Sequence, residues 1–141
     1  VLNITHPVAE LMKAQKSGQI INIGSIAGRV SYEGGSVYCA TKHALGALTK
    51  SLRLELVDHG IRVGTVDPGM VNTEFSLVRL KNQAKADSVY AEMTPLHAQD
   101  IAECIEFAVS RPPHVNIDEI LVMPTQQAAP HKVLRNGPIS P

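Results

Sequence analysis

Tyr38 and Lys42 stand four residues apart in GSVYCATKHALGALTKSLRLEL, residues 35–56. On a helix that spacing puts a phenol and an ammonium one turn apart on one face. Ser25 lies thirteen residues before Tyr38, and DPGMVNT, residues 67–73, follows later in the chain. A phenol with an ordinary pKa of about 10 is a poor general base near neutrality. A neighbouring ammonium stabilises the phenolate and pulls that pKa down. A serine hydroxyl can hold the oxygen of a carbinol or carbonyl and steady the charge that develops there. Together the three suit hydride transfer between a nicotinamide and a carbinol or carbonyl. Tyr38 would be the general acid/base, Lys42 its cation and a ribose-hydroxyl partner, and Ser25 the group that positions the substrate oxygen. Pro68 and Gly69 would let the backbone approach a nicotinamide ring, with the Val71 amide and the Thr73 hydroxyl bonding its carboxamide.

These residues need elements to hold them. VAELMKAQKSG reads as the end of an amphipathic helix with Val8, Leu11 and Met12 on one stripe and Gly18 as its C-cap. QIINIGS is a short strand rich in β-branched residues, and IAGRVSYEGG is a loop punctuated by glycine. Helix resumes at Ser36, its expected N-cap, and runs to about His59 with Leu45, Leu48, Leu52 and Leu56 as its apolar stripe, and Gly60 ends it. IRVGTVD is a second strand stopped by Pro68-Gly69, and NTEFSLVRLKNQAKADSVYAEM is helical in pieces. AQDIAECIEFAVSR is a further helix, with Ile101, Cys104, Ile105 and Ala108 facing inward and Pro112-Pro113 as its terminator. DEILVMP is a last strand, and residues 124–141 form an irregular tail. Helices alternating with apolar strands predict right-handed βαβ crossovers and a parallel sheet covered on both faces. The fold class is α/β, a Rossmann-like doubly wound sheet in which ligands sit beyond the carboxyl ends of the strands. Ser25, Tyr38 with Lys42, and residues 67–73 all fall at that edge. Three strands leave an open edge, a liability unless further strands lie beside it.

The 141 residues make one domain's worth of chain, 44% hydrophobic and 18% charged, as in ordinary globular proteins. Net charge is zero with histidine neutral and no basic stripe appears, which argues against nucleic acid or an anionic membrane as partner. No apolar run reaches the eighteen or so residues of a membrane span. Two isolated cysteines, Cys39 and Cys104, fit neither a disulfide framework nor a zinc site and suit a reducing compartment, here the cytoplasm. Six scattered histidines show no metal-binding spacing, so no metal is expected.

INIGSIAGR, YCATK and IRVGTVDPGMVNTEF together resemble the central and C-terminal part of a short-chain dehydrogenase/reductase. That family's serine, Tyr-x-x-x-Lys and Pro-Gly motifs fall on Ser25, Tyr38 with Lys42, and Pro68 with Gly69. The resemblance runs in order from about Val1 to Met123. GSIAGR, NTEFSLVR, TPLHAQDIAECI and MPTQQAAPH are similar to NADP-dependent serine and 3-hydroxy acid dehydrogenases within it. The resemblance implies NADP as cofactor, NAD not being excluded, and a small hydroxy acid or the matching oxo compound as substrate. It also implies a homo-oligomer, dimer or tetramer, formed through the helix that carries Tyr38. The family's Thr-Gly-x-x-x-Gly-x-Gly turn and catalytic asparagine have no counterpart here, and Asn3 does not stand in the asparagine's place. Residues 1–141 are therefore expected to be the catalytic half of a longer subunit, one partial Rossmann-type domain whose dinucleotide-binding half lies outside the chain. Activity of the piece alone is doubtful on that ground.

Single positions allow other roles. Arg29 is either a solvated loop charge or a partner for a substrate carboxylate. Thr73 also suits a turn in which its hydroxyl accepts from the backbone. Glu74 and Phe75 open a segment that is either a substrate lid or a plain surface helix. Cys39, His43 and His97 suit packing or solvated positions. Two other function classes compete: a catalytically silent binding or regulatory module on the same fold, and a serine hydrolase built on Ser25. The second is disfavoured because GSIAG is not Gly-x-Ser-x-Gly.

Overall fold

A computed structural model describes residues 1–139. The chain runs α1 (Leu2–Gln15), β1 (Gly18–Ile23), α2 (Ser36–Leu56), β2 (Ile61–Pro68), α3 (Phe75–Leu80), α4 (Gln83–Val89), α5 (Ala98–Val109), β3 (Glu119–Val122), β4 (Gln127–Ala129) and β5 (Lys132–Val133). The three long strands form a parallel sheet in the order β1-β2-β3. β1 pairs with β2 from Gly18 opposite Ile61 to Ile23 opposite Val66, and β2 pairs with β3 from Thr65 opposite Glu119 to Pro68 opposite Val122. The expected α/β sheet with alternating helices is the fold observed.

Strand alternation sorts the helices onto the two faces. Ile61 and Val63 of β2 pack with Ala9 of α1 and Leu56 of α2, and Met12, Ile20 and Leu52 close that cluster. On the opposite face Arg62 donates to the carbonyls of Arg111 and Val115 at 3.1 Å, just past α5. Gln19, its register partner, donates to the Ala108 carbonyl of α5 at 3.3 Å. The parallel sheet is thus covered on both sides, as its apolar strands require.

One buried polar pair fixes α2 against the sheet. Thr49 donates its hydroxyl to the Leu45 carbonyl at 2.8 Å and accepts from Asn22 Nδ2 of β1 at 2.9 Å. Both residues are buried, so neither could be left without its partner at small cost. The bond holds α2 in place along β1, and with it Tyr38 and Lys42.

Several boundaries differ from the sequence reading. α1 ends on Lys16 in the left-handed conformation, φ 53°, and Gly18 instead begins β1. Gly35 rather than Ser36 is the N-cap residue of α2, with no side-chain cap. α2 stops at Leu56, and a single 3-10 turn, Val57–His59, carries the chain to Gly60 at φ 70°. The tail is not wholly irregular, because β4 and β5 form a short antiparallel pair, and Gln126 just before β4 and Gln127 at its start are both buried. Gln126 holds that tail together. Its side-chain Oε1 accepts from the Thr94 N–H, and its Nε2 donates to the carbonyl of Gly137 and the side-chain oxygen of Asn136.

Candidate active site

A cavity of about 560 Å³ opens beyond the carboxyl ends of β1 and β2. It lies in the range typical of small-molecule sites and at the edge where parallel α/β sheets bind ligands. Ser25, Tyr38, Lys42, Pro68, Gly69, Val71 and Thr73 all line it.

Ser25 follows the end of β1 in extended backbone and caps the short turn Ile26–Gly28. Its Oγ accepts from the Ala27 N–H at 3.1 Å, which leaves the hydroxyl proton free to donate. The capping role and a role toward substrate are therefore compatible. The turn presses on α2 at Gly28, where an added Cβ would come within 2.8 Å of the Lys42 carbonyl. Glycine is needed there for that contact, which sets Ser25 beside the first turns of α2.

Lys42 donates to the Ile23 carbonyl at 2.9 Å and stands 5.8 Å from the centre of the Tyr38 ring. Burial lowers its pKa below the ordinary lysine value, with the charge of Asp67 opposing that shift. Phe75 packs tilted against the Tyr38 ring at 5.7 Å between centroids, so the segment opened by Glu74 and Phe75 covers the phenol. Arg79 of α3 stands 5.8 Å from the same ring.

The backbone from Pro68 to Thr73 is pinned on several sides. Asn72 N–H donates to the Leu96 carbonyl at 2.8 Å, and Leu96 N–H donates to that of Met70 at 2.9 Å. Tyr90 donates its hydroxyl to the Val71 carbonyl at 2.8 Å. Having used its one proton there, it accepts from Ser76 at 2.7 Å. The Val71 N–H is left without a protein partner among the described residues. The Thr73 Oγ1 accepts from the Phe75 N–H at 3.2 Å, the turn that its sequence also suggested, and retains its proton.

Gly69 owes its identity to the tail. An added Cβ would meet the Gln127 side-chain oxygen, with Met123 Sδ at 2.8 Å and Pro124 Cδ at 3.0 Å. Gln127 also accepts from the Met70 N–H at 2.8 Å and lines the cavity. Gln127, Tyr90 and Arg79 are site residues that the sequence reading did not single out. The adjacent glutamines between Pro124 and Ala128-Ala129 were the one local hint, polar residues set in an apolar stretch.

Arg29 takes neither role weighed for it. Its guanidinium pairs with Asp67 at 2.6 Å and Glu119 at 2.7 Å, across the ends of β2 and β3. Burial works against its charge, but those two carboxylates outweigh it and raise its pKa. Asp67 is buried and also accepts from the Thr65 hydroxyl at 2.6 Å. His97 precedes α5, where its N–H donates to Asp100 at 2.7 Å, and His43 bonds the Cys39 carbonyl at 2.8 Å. Cys39 is a buried free thiol, and Cys104 is free and half-buried. No group of three or more potential metal ligands occurs among the described residues. No helix there is long and apolar enough to cross a membrane.

Comparison with known proteins bears on this geometry. A sequence-family profile described as short chain dehydrogenase matches residues 1–86. The chain is similar to an NADP-dependent 3-hydroxy acid dehydrogenase of Schizosaccharomyces pombe, 47% identical over 96% of this chain and 52% of the relative. It is 40% identical to a serine 3-dehydrogenase of Agrobacterium fabrum over 91% of this chain and 51% of that one. Among solved structures, the closed form of a serine dehydrogenase complexed with NADP+ superposes with a TM-score of 0.89 at 36% identity, over 94% of this chain and 54% of that chain. The chain spans about half the length of the curated relatives it matches.

Proposed function

The chain belongs to the short-chain dehydrogenase family, and we propose that within it the chain serves an oxidoreductase that moves hydride between NADP and a small hydroxy acid. The observation that carries this is the one cavity in which Ser25, Tyr38, Lys42 and the Pro68–Thr73 backbone converge. The relatives' names, 3-hydroxy acid dehydrogenase and serine 3-dehydrogenase, support the substrate class and the choice of NADP.

The residues present fit the nicotinamide end of such a cofactor. The unpartnered Val71 N–H and the free Thr73 proton are donors suited to a carboxamide, on a backbone held by Tyr90 and Gln127. When bound, the cofactor accepts or returns the hydride. Ser25 donates to the substrate oxygen and fixes the carbinol carbon. Tyr38 takes the hydroxyl proton in oxidation and returns it in reduction. Lys42, tethered to Ile23, places its positive charge 5.8 Å from the centre of the Tyr38 ring. Phe75 excludes water from one side of the phenol.

The hydrolase alternative finds little support: among the described residues, the cavity wall contains no histidine and no carboxylate to activate Ser25. A homo-oligomer is supported by the outer face of α2, where Val37 and Leu54 are 77% and 78% exposed and Ala40, Ala44 and Ala47 lie between them. An apolar face of that kind suits a second copy. The free thiols suit a reducing, cytoplasmic setting.

The test is Tyr38→Phe in the intact polypeptide that carries these residues. NADP-linked oxidation of small hydroxy acids is expected to fall on the order of 10²- to 10⁴-fold while thermal unfolding stays near that of the wild type. Full retention of activity would remove Tyr38 as acid/base. Absence of any NADP-linked turnover in the wild type would favour a silent binding module.

A further inference from the structure

Among the described residues, the cavity wall carries two cations, Lys42 and Arg79, and no carboxylate. They flank the Tyr38 ring at the same distance, 5.8 Å. Lys42 is committed to the Ile23 carbonyl. Arg79 is not comparably engaged: its hydrogen bond is a long one, 3.5 Å from Nη1 to the Tyr32 hydroxyl. Lys13, Arg29, Lys50 and Arg53 each pair with a carboxylate, whereas Arg79 makes no ion pair among the described residues. Arg79 also lines an adjoining hollow of about 490 Å³ and so stands between the two spaces. Its helix is anchored beneath by buried Ser76, bonded to Tyr90.

Resting on the dehydrogenase reading above, we propose that Arg79 is the specificity-determining residue that receives the substrate's anionic group, a carboxylate in a hydroxy acid. The guanidinium offers paired N–H donors that match the two oxygens of a carboxylate. With no acidic side chain among the described wall residues to compete, the anion of the substrate is the natural partner. A 3-hydroxy acid holds its carboxylate two bonds from the carbinol carbon, which suits a cation beside the general acid/base. Arg29, the other arginine near this edge, is already neutralised by Asp67 and Glu119 and is not available for the task.

The experiment compares NADP-linked oxidation of 3-hydroxybutyrate and of its methyl ester by the intact polypeptide, as wild type, Arg79→Leu and Arg79→Lys. The ratio of kcat/KM for the acid to that for the ester is expected to fall on the order of 10- to 100-fold in Arg79→Leu, chiefly through the KM for the acid, with Arg79→Lys between. The ester measured on the same preparation controls for misfolding. Parallel loss on acid and ester would overturn the proposal, and so would a rise confined to the KM for NADP, which would assign Arg79 to the cofactor. Equal handling of acid and ester by the wild type would overturn anion recognition and leave the dehydrogenase reading standing. Turnover of neither probe by the wild type would overturn both.

Discussion

Lys42 reaches back from α2 to donate its ammonium to the carbonyl of Ile23, the last residue of β1, at 2.9 Å. The end of the strand thereby aims the cation, and the same side chain stands within 5.8 Å of the Tyr38 ring. A flexible four-carbon stem that would otherwise sample many rotamers is held where its charge can act.

Partial burial has a measurable consequence at Lys42, whose pKa lies below the ordinary lysine value because desolvation outweighs the attraction of Asp67. A lysine depressed in the folded state binds fewer protons there than in the unfolded chain. Stability therefore rises as pH climbs from the folded pKa to the unfolded one. Relative to Lys42→Met, the wild type is expected to gain unfolding free energy across that alkaline window. Activity is expected to fall on an alkaline limb that begins below the ordinary lysine range. Denaturant titrations at stepped pH check the first part, and a stability difference flat with pH would rule it out.

Gln127 supports the Pro68–Thr73 backbone from the tail. Replacing it with leucine leaves the Met70 N–H without its 2.8 Å acceptor. The expected cost is about 1–2 kcal/mol of stability, together with a several-fold rise in the KM for NADP and a smaller change in kcat. Equilibrium unfolding and initial rates at varied NADP measure the two effects. A variant with wild-type KM would show that the Pro68–Thr73 backbone holds its shape without the tail.

The parts of the fold and site that were legible in the sequence are those with local signals. Apolar periodicity marked α2 and α5, Pro68 and Gly69 marked the end of β2, and the offset from Ser25 to Tyr38 and Lys42 marked three residues that line one cavity. Gln127, Tyr90 and Arg79 reach the cavity through tertiary contacts, and no spacing announces them. Arg29 illustrates the limit: its carboxylate partners lie 38 and 90 residues further along, at the ends of neighbouring strands. Only the sheet order brings them together. At the end of α1, Lys16 took the left-handed turn expected of Gly18, because β1 had already begun at the glycine.

The Arg29 cluster should fail in acid. Burial works against the charge of Glu119, but Arg29 and Lys50 outweigh it and lower its pKa. A carboxylate depressed in the folded state adds stability that is present above its unfolded pKa and lost as pH falls through the folded value. The wild type is therefore expected to hold an advantage over Glu119→Gln at neutral pH that disappears in acid. Asp67→Asn removes the charged partner of both Thr65 and Arg29 and is expected to cost about 1–3 kcal/mol, the lower end reflecting the part-exposed arginine. Because Asp67 also opposes the fall in Lys42's pKa, this variant should shift the alkaline limb of activity further toward neutrality. Unfolding curves and pH–rate profiles of the two variants test the account together. An Asp67→Asn protein with unchanged stability and an unmoved alkaline limb would show that the cluster neither holds the strand ends nor reaches the site.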